Sequence, residues 1–150
     1  MLRSTVCAGW AAVALSTISL SCATTAMSPP HATFDATTSE RDVAAALDDF
    51  HDAAAHADED RYFAHFAREG VFLGTDATER WDVPAFRAYA HARFVTGKGW
   101  TYRVQRRAIR FSNDGAVAWF DEDLLGEKAG PCRGSGVLVR VREGDRDRYL

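Results

Sequence analysis

The sequence predicts an α+β fold in which helices pack against one face of a bent antiparallel sheet. Two observations carry this prediction. From Ser39 to Gly97, apolar residues recur at the spacing of amphipathic helices. From Trp100 onward they alternate with polar residues, and turn residues such as Gly130 and Pro131 separate the alternating runs. Helices therefore come first along the chain, and strands follow.

The starts of three helices are marked by N-cap residues at Ser39, Asp58 and Asp82. The apolar face of the first helix is formed by Val43, Ala46, Leu47, Phe50 and Ala54. The second helix is short and ends before Gly70, and Gly97 ends the third. An apolar run directly after Gly70 predicts a strand between the second and third helices.

Three long strands are expected in the remainder of the chain. The first changes the phase of its alternation, which predicts a bulge between residues 105 and 108 that bends the sheet. The second strand, residues 116–124, places Trp119 on one face and Glu122 on the other. The third strand is expected at residues 134–143. These strands form an antiparallel meander.

The first residues of the chain predict export. One charged residue, Arg3, precedes an apolar run at residues 6–20, and small residues follow, as in a signal peptide spanning residues 1–26. The apolar run is shorter than the roughly 20 residues that a membrane-spanning helix needs. Two processing routes remain open: cleavage after small residues, or lipidation of Cys22 as in a bacterial lipoprotein, because the residues before it resemble a lipobox.

Composition and charge limit the functions that the chain can have. Its 150 residues, 47% hydrophobic and 26% charged, suffice for one domain, which we expect at residues 39–150 after a flexible Pro, Ser and Thr-rich linker at residues 27–38. With 18 basic and 21 acidic side chains there is no basic excess for binding nucleic acid. The chain has no thiolate zinc spacing and no nucleotide-binding or metalloprotease motif, so we expect no metal and no cofactor.

Four segments together resemble a known family. They are FLGTDATERW (residues 72–81), GKGWTY (97–102), AWFDEDL (118–124) and CRGSGVLVR (132–140), and they are similar to blocks of the SnoaL-like branch of the nuclear transport factor 2-like superfamily, which also contains ketosteroid isomerases. The resemblance implies a cone: a curved antiparallel sheet around a pocket, with helices on its concave side. It also implies a homodimer paired through the sheet.

The end of the chain departs from the family pattern. Family members usually finish with a further strand, whereas this chain stops at Leu150, about where that strand should begin. We therefore expect a truncated final strand, which leaves either a fragment of a longer protein or an open sheet edge.

The resemblance gives little support to ketosteroid isomerisation. It places Phe50 and Gly74 where the isomerases have a tyrosine and a carboxylate base, and neither residue can do that chemistry. Asp76 is a candidate replacement for the base, although its position in a turn also suits an Asx-turn. His91 is the histidine expected closest to the mouth of the cone, and Glu122 is the third candidate for acid–base catalysis.

A charged and aromatic set is expected to line the pocket: Glu79, Trp81, Trp119, Glu122 and Arg133. Inside an apolar cavity Glu122 would need a cation such as Arg133 or Arg80, either as a structural ion pair or as a polar anchor for a ligand. The sequence thus favours a module that binds a small apolar or amphipathic molecule without converting it. A cofactor-independent isomerase, dehydratase or cyclase and a purely structural dimerising domain are the alternatives.

Overall fold

The computed structural model describes residues 34–150, which form three helices and six strands. The helices are α1 (Ala36–Ala55), α2 (Glu59–Phe63) and α3 (Val83–Phe94). The strands are β1 (Val71–Leu73), β2 (Arg80–Asp82), β3 (Tyr102–Phe111), β4 (Val117–Gly126), β5 (Gly130–Glu143) and β6 (Arg146–Tyr149). The predicted order of helices first and long strands afterwards is confirmed, and the fold class is α+β.

The first helix begins earlier than the sequence predicted. Asp35, not Ser39, is its N-cap: the Asp35 carboxylate accepts hydrogen bonds from the backbone N–H of Thr37 at 3.0 Å and of Thr38 at 3.3 Å. The Thr38 hydroxyl also donates to Asp35, at 2.6 Å. A carboxylate that binds three donors in the first turn accounts for the earlier start, and residues 36–38 are helical, not part of a linker. The predicted caps of the other two helices, Asp58 and Asp82, are confirmed.

The long strands form one curled antiparallel sheet in the order β3-β4-β5-β6. The predicted bulge is confirmed at Gln105, where the register with β4 shifts between Val104 and Arg106. β5 begins at Gly130 instead of at residue 134, because the turn before it lies at residues 127–129.

A fourth strand is present in the sheet. The sequence predicted that the chain stops where the final strand begins, whereas β6 is already formed at Arg146 and pairs with the end of β5. Leu150 continues this pairing, because it exchanges two backbone hydrogen bonds with Val139 at 2.8 and 3.1 Å.

The two faces of the sheet differ in what covers them. We call the face that carries Phe120 and Glu122 the inner face and the face that carries Trp119 the outer face. α1 lies on the inner face, and the core between them consists of Val43, Leu47, Ile109, Ala118, Leu138 and Tyr149. A second, aromatic core joins the three helices to the β1–β2 hairpin, with Phe72 stacked on Phe86 at 3.8 Å between ring centroids.

Within residues 34–150, no helix is both long enough and apolar enough to cross a membrane.

Candidate functional site

Glu122 is the only fully buried charged residue among residues 34–150, with 1% of its surface exposed. Its position on β4 directs it toward α1, where its Oε2 atom lies 2.8 Å from Nε2 of His51. Its Oε1 atom accepts a hydrogen bond from Nε of Arg107 on β3 at 2.6 Å. We call His51, Arg107 and Glu122 the buried triad. It connects the first helix to two strands of the sheet.

Arg107 is also tied to the helix. Its Nη1 atom donates to the backbone carbonyl of Ala44 at 2.9 Å. Its Nη2 atom lies 2.8 Å from Oδ1 of Asp48 but lacks the angle of a hydrogen bond and has no other partner among the described residues. Because Arg107 balances the charge of Glu122, the triad can be buried with a neutral histidine and no net charge.

The environment keeps Glu122 ionised. Burial acts to raise its pKa, but the contacts with His51 and Arg107 outweigh burial, and the pKa is lowered. A carboxylate with a lowered pKa and with both oxygens occupied cannot serve as a general acid at neutral pH. Both carboxylate oxygens of Glu122 are therefore engaged by the protein's own side chains.

His51 has one ring nitrogen left for other contacts. A carboxylate can only accept, so Nε2 of His51 carries the proton that faces Glu122, and Nδ1 of the neutral ring is an acceptor. Nδ1 makes no hydrogen bond to any residue of the described chain. Aromatic rings surround the imidazole: Phe50 at 5.5 Å and Tyr102 at 6.3 Å between centroids, with Tyr62 stacked on Phe50 at 4.5 Å. Burial, and to a smaller extent Tyr102, raises the pKa of Tyr62, so its hydroxyl stays protonated.

Two of the predicted catalytic residues lie away from the triad. Asp76 is exposed in the turn of the β1–β2 hairpin, where it accepts hydrogen bonds from the backbone N–H and the hydroxyl of Thr78 at 2.8 and 2.7 Å. These bonds lower its pKa, as expected of an Asx-turn and not of a base. His91 is exposed on α3 and pairs with Glu59 of α2 at 2.6 Å. His91 lines neither of the two grooves described below.

Two other predicted pocket residues serve the hairpin and the core. Glu79 folds back over Gly74, and its Oε2 atom accepts a hydrogen bond from the backbone N–H of Asp76 at 3.2 Å. Trp81 packs against α3, with ring centroids 5.9 Å from Phe86 and 4.7 Å from Tyr89. Both residues have structural contacts that account for their positions.

Trp119 and Arg133 lie on the outer face, on the opposite side of the sheet from Glu122. Trp119 is 45% exposed, and the Arg133 side chain is 77% exposed, with its Nε atom 3.7 Å from Oδ1 of Asp123. The prediction that Arg133 or Arg80 pairs with Glu122 is wrong, because Arg133 is on the other face and Arg80 lies exposed in the β1–β2 hairpin.

The sequence contained a signal for the true partner of Glu122. Once a bulge is placed at Gln105, Arg107 falls two residues before the apolar Ile109 and shares its face. His51 follows Phe50 on a helix with a clear apolar face, but nothing in the sequence distinguishes it from the other helical histidines. It was recognisable only after the pairing of α1 with β4 was known.

The grooves in the described part of the chain include two on its surface. The larger, of about 540 Å³, is lined by Gln105, Asp123, Leu124, Leu125, Pro131, Cys132 and Arg133. The smaller, of about 190 Å³, lies between the start of α1 and the β5–β6 hairpin. Neither wall includes the triad, Trp81 or Trp119. Residues 34–150 also contain no group of three His, Cys, Asp or Glu side chains arranged to hold a metal ion.

Comparison with known proteins supports the fold. A family model described as "SnoaL-like domain" matches residues 43–145. An NTF2-like protein of unknown function from Pseudomonas putida has a similar structure, with a TM-score of 0.58, 11% identity, and coverage of 75% of this chain and 82% of that one. No curated protein matches the chain.

Two further solved structures have the same fold at low identity. A Novosphingobium aromaticivorans protein provisionally assigned as a scytalone dehydratase gives a TM-score of 0.56 at 11% identity, covering 75% of this chain and 80% of that one. ActVI-ORFA from Streptomyces coelicolor gives 0.51 at 16%, covering 73% and 91%. At these identities the likeness establishes the architecture and not the chemistry.

Proposed function

Since the chain belongs to the SnoaL-like domain family, we propose that it is an exported module that binds one small apolar or amphipathic molecule between α1 and the inner face of the sheet. The family includes ligand-binding proteins as well as isomerases and dehydratases. The proposal concerns the ligand, its site and the location of the protein.

The observation that carries the proposal is the buried triad. Burying an ionised glutamate, an arginine and a histidine together is costly, and a hydrophobic cluster of equal volume is often as stable. The triad leaves one acceptor, Nδ1 of His51, inside an aromatic environment. Such an acceptor supports recognition of a hydrogen-bond donor on a ligand, such as a hydroxyl group.

The aromatic rings beside His51 support an apolar body for this ligand. Phe50, Tyr62 and Tyr102 are ordered around the imidazole and are joined to the larger aromatic core. Because the charges of Glu122 and Arg107 cancel, a charged ligand would gain no compensating charge from this pair. A neutral molecule with an apolar body and one hydroxyl-type donor fits these surroundings best.

The experiment is native mass spectrometry of gently purified protein, before and after denaturation. We expect an excess mass that is lost on denaturation. In a His51→Phe variant, which keeps a ring of similar size but removes the acceptor, the excess mass is expected to disappear. His91→Phe is the matched control, because His91 also pairs with a glutamate but is exposed. An empty wild-type protein would contradict the proposal and favour a purely structural domain, whereas equal retention by both variants would contradict the binding of the ligand at His51.

A second candidate function is favoured by one contact, the hydrogen bond between His51 and Glu122 at 2.8 Å. A carboxylate that fixes the tautomer and orientation of an imidazole prepares its other nitrogen to accept a proton. In a cofactor-independent isomerase, dehydratase or cyclase, His51 would be the base and Glu122 a positioning residue. Dehydration is the first reaction to assay, given the name carried by one structure of this fold.

Glu122→Gln separates the two candidates once a ligand is known. In a binding module, the glutamine is expected to leave the affinity within a few-fold of wild type, because it can still contact His51. In an enzyme, the same variant is expected to lower kcat strongly with little change in KM, because a neutral amide no longer stabilises the protonated imidazole. Unchanged turnover would remove Glu122 from the mechanism.

Self-association through the outer face completes the proposal for the folded domain. Trp119, Val137 and Val139 are 45%, 70% and 40% exposed and lie side by side on β4 and β5. An apolar patch of this kind on a sheet supports pairing with a second copy. Light scattering after size exclusion is expected to give a dimer that Val137→Lys converts to a monomer, whereas Val95→Lys, at a similarly exposed valine that caps the C-terminus of α3, does not. A monomeric wild type would refute the pairing.

Export and anchoring rest on the leader, which lies outside the described residues. We propose that residues 1–26 direct secretion and that Cys22 is either removed with the leader or lipidated. The intact mass of the mature protein distinguishes these routes, since lipidation adds acyl chains to an N-terminal Cys22. A mature protein that still begins at Met1 would contradict both.

A further inference from the structure

The larger groove lies beside the turn of the β4–β5 hairpin, and most of the side chains that line it are on the outer face, away from the buried triad. Asp123 and Leu125 of β4 stand opposite Arg133 and Pro131 of β5, and the bulged residue Gln105 of β3 closes one side. Its volume of about 540 Å³ falls within the range of sites for small organic molecules. Apolar side chains and backbone form much of its wall.

The charged groups at the groove are unequally paired. Asp123 is satisfied by Arg106, whose Nε atom donates to it at 2.8 Å, and this bond is the main cause of the lowered pKa of Asp123. Arg106 also binds Asp121, at 3.0 Å. Arg133 makes no hydrogen bond to any residue between 34 and 150 and lies 3.7 Å from Asp123. Its guanidinium therefore has donors available at the rim of the groove.

The local charge favours an anion. Arg103 is the cross-strand neighbour of Leu125 and is exposed beside the groove. Together with Arg106 and Arg133 it makes three positive charges, against the two negative charges of Asp121 and Asp123 on this part of the outer face. One positive charge is left over, and it suits a ligand with a single negative charge.

We infer that this groove is a second binding site, for a small carboxylic acid with a short apolar body, and that Arg133 binds its carboxylate. The planar guanidinium matches a carboxylate with two parallel hydrogen bonds. Leu125 and Pro131 form the apolar surface below it. The site is independent of the function proposed for the triad, because the two lie on opposite faces of the sheet.

The test is a nuclear magnetic resonance titration of the ¹⁵N-labelled protein with octanoate. We expect saturable shifts of the backbone amides of Leu125 and Cys132, and an affinity about tenfold lower for Arg133→Gln, as the loss of a charge-assisted hydrogen bond implies. Arg110→Gln is the matched control, because Arg110 is an exposed arginine on the same face, opposite Trp119 and outside the groove. It is expected to bind octanoate as wild type does.

Two further probes separate the two interactions: octanol carries only the apolar body, and acetate carries only the carboxylate. Both are expected to bind at least tenfold more weakly than octanoate, because each lacks one of the two interactions. Equal binding of octanol, wild-type affinity in Arg133→Gln, shifts centred on His51 or no saturable shift would each overturn the inference. A negative result with octanoate does not contradict the proposal for the triad, because that proposal is tested with a different ligand and with the His51→Phe variant.

Discussion

Replacement of Arg107 by methionine is expected to lower the free energy of unfolding, because it leaves the buried Glu122 carboxylate without its positive partner. Methionine keeps most of the length of the side chain but removes the charge that balances Glu122. Glu122 is 1% exposed and Arg107 is 12% exposed, so solvent cannot replace the lost partner. Breaking a buried ion pair by removing one partner costs about 3–5 kcal/mol. That is a large part of the total stability of a small domain, which is about 5–15 kcal/mol.

The measurement is urea unfolding followed by circular dichroism, with Arg106→Met as the matched control. Arg106 is the adjacent residue and also pairs with carboxylates, but its side chain is 55% exposed, so its loss is expected to cost less than about 1 kcal/mol. The double variant Arg107→Met with Glu122→Leu is expected to recover most of the stability, because no charge is then left buried.

Equal losses for Arg106→Met and Arg107→Met would refute the reasoning, because the two residues would then have comparable surroundings. A double variant as unstable as Arg107→Met would also refute it. In that case the cost would come from lost packing of the arginine side chain and not from the uncompensated charge of Glu122.

Two further outcomes follow from contacts outside the triad. The hydrogen bond from His91 is the main cause of the lowered pKa of Glu59; a carboxylate with a lowered pKa stabilises the fold above its unfolded pKa and loses this contribution as the pH falls through its folded value. Urea unfolding is therefore expected to show Glu59→Gln as less stable than wild type at about pH 6, with the difference shrinking as the pH falls below the ordinary glutamate pKa of about 4.3, and a constant difference would contradict this assignment. Gly136→Ala would place a Cβ atom 2.7 Å from Cε1 of Phe120, so its free energy of unfolding is expected to fall by about 1–3 kcal/mol. Ser135→Ala, at an exposed neighbouring residue, is expected to stay within about 0.5 kcal/mol of wild type. Equal effects of the two variants would mean that the Phe120 ring can move aside at little cost.

The sequence predicted which helices and long strands are present better than it predicted the residues at which they begin. Asp58 and Asp82 were recognised as caps because a single carboxylate before an apolar periodic segment is a local signal. The prediction of Ser39 as the first cap is wrong: a serine and an aspartate both satisfy the local rule, and only the hydrogen bonds show that Asp35 is the cap. The bulge at Gln105 was predicted because a change of alternation phase can be read directly from a strand.

The site depended on pairings that lie far apart in the chain. The sequence predicts that Glu122 faces an apolar interior, but the cations predicted to pair with it, Arg80 and Arg133, are not its partners. Arg107 is 15 positions away and His51 is 71 positions away. Which helix residue meets which strand residue follows from the packing of α1 on the sheet, and one sequence does not contain that information.

The bulge at Gln105 also determines which kinds of sequence change β3 can tolerate. Its side chain is exposed, so many residues can stand at that position without touching the interior. Deletion of a single residue there would restore continuous alternation and move everything before it to the opposite side: Tyr102 would leave the helix layer, and Arg103 would enter it. Related chains are therefore expected to vary in the identity of the residue at position 105 but to keep the number of residues in β3 constant. A related chain with a β3 of different length is expected to have different side chains facing the helices.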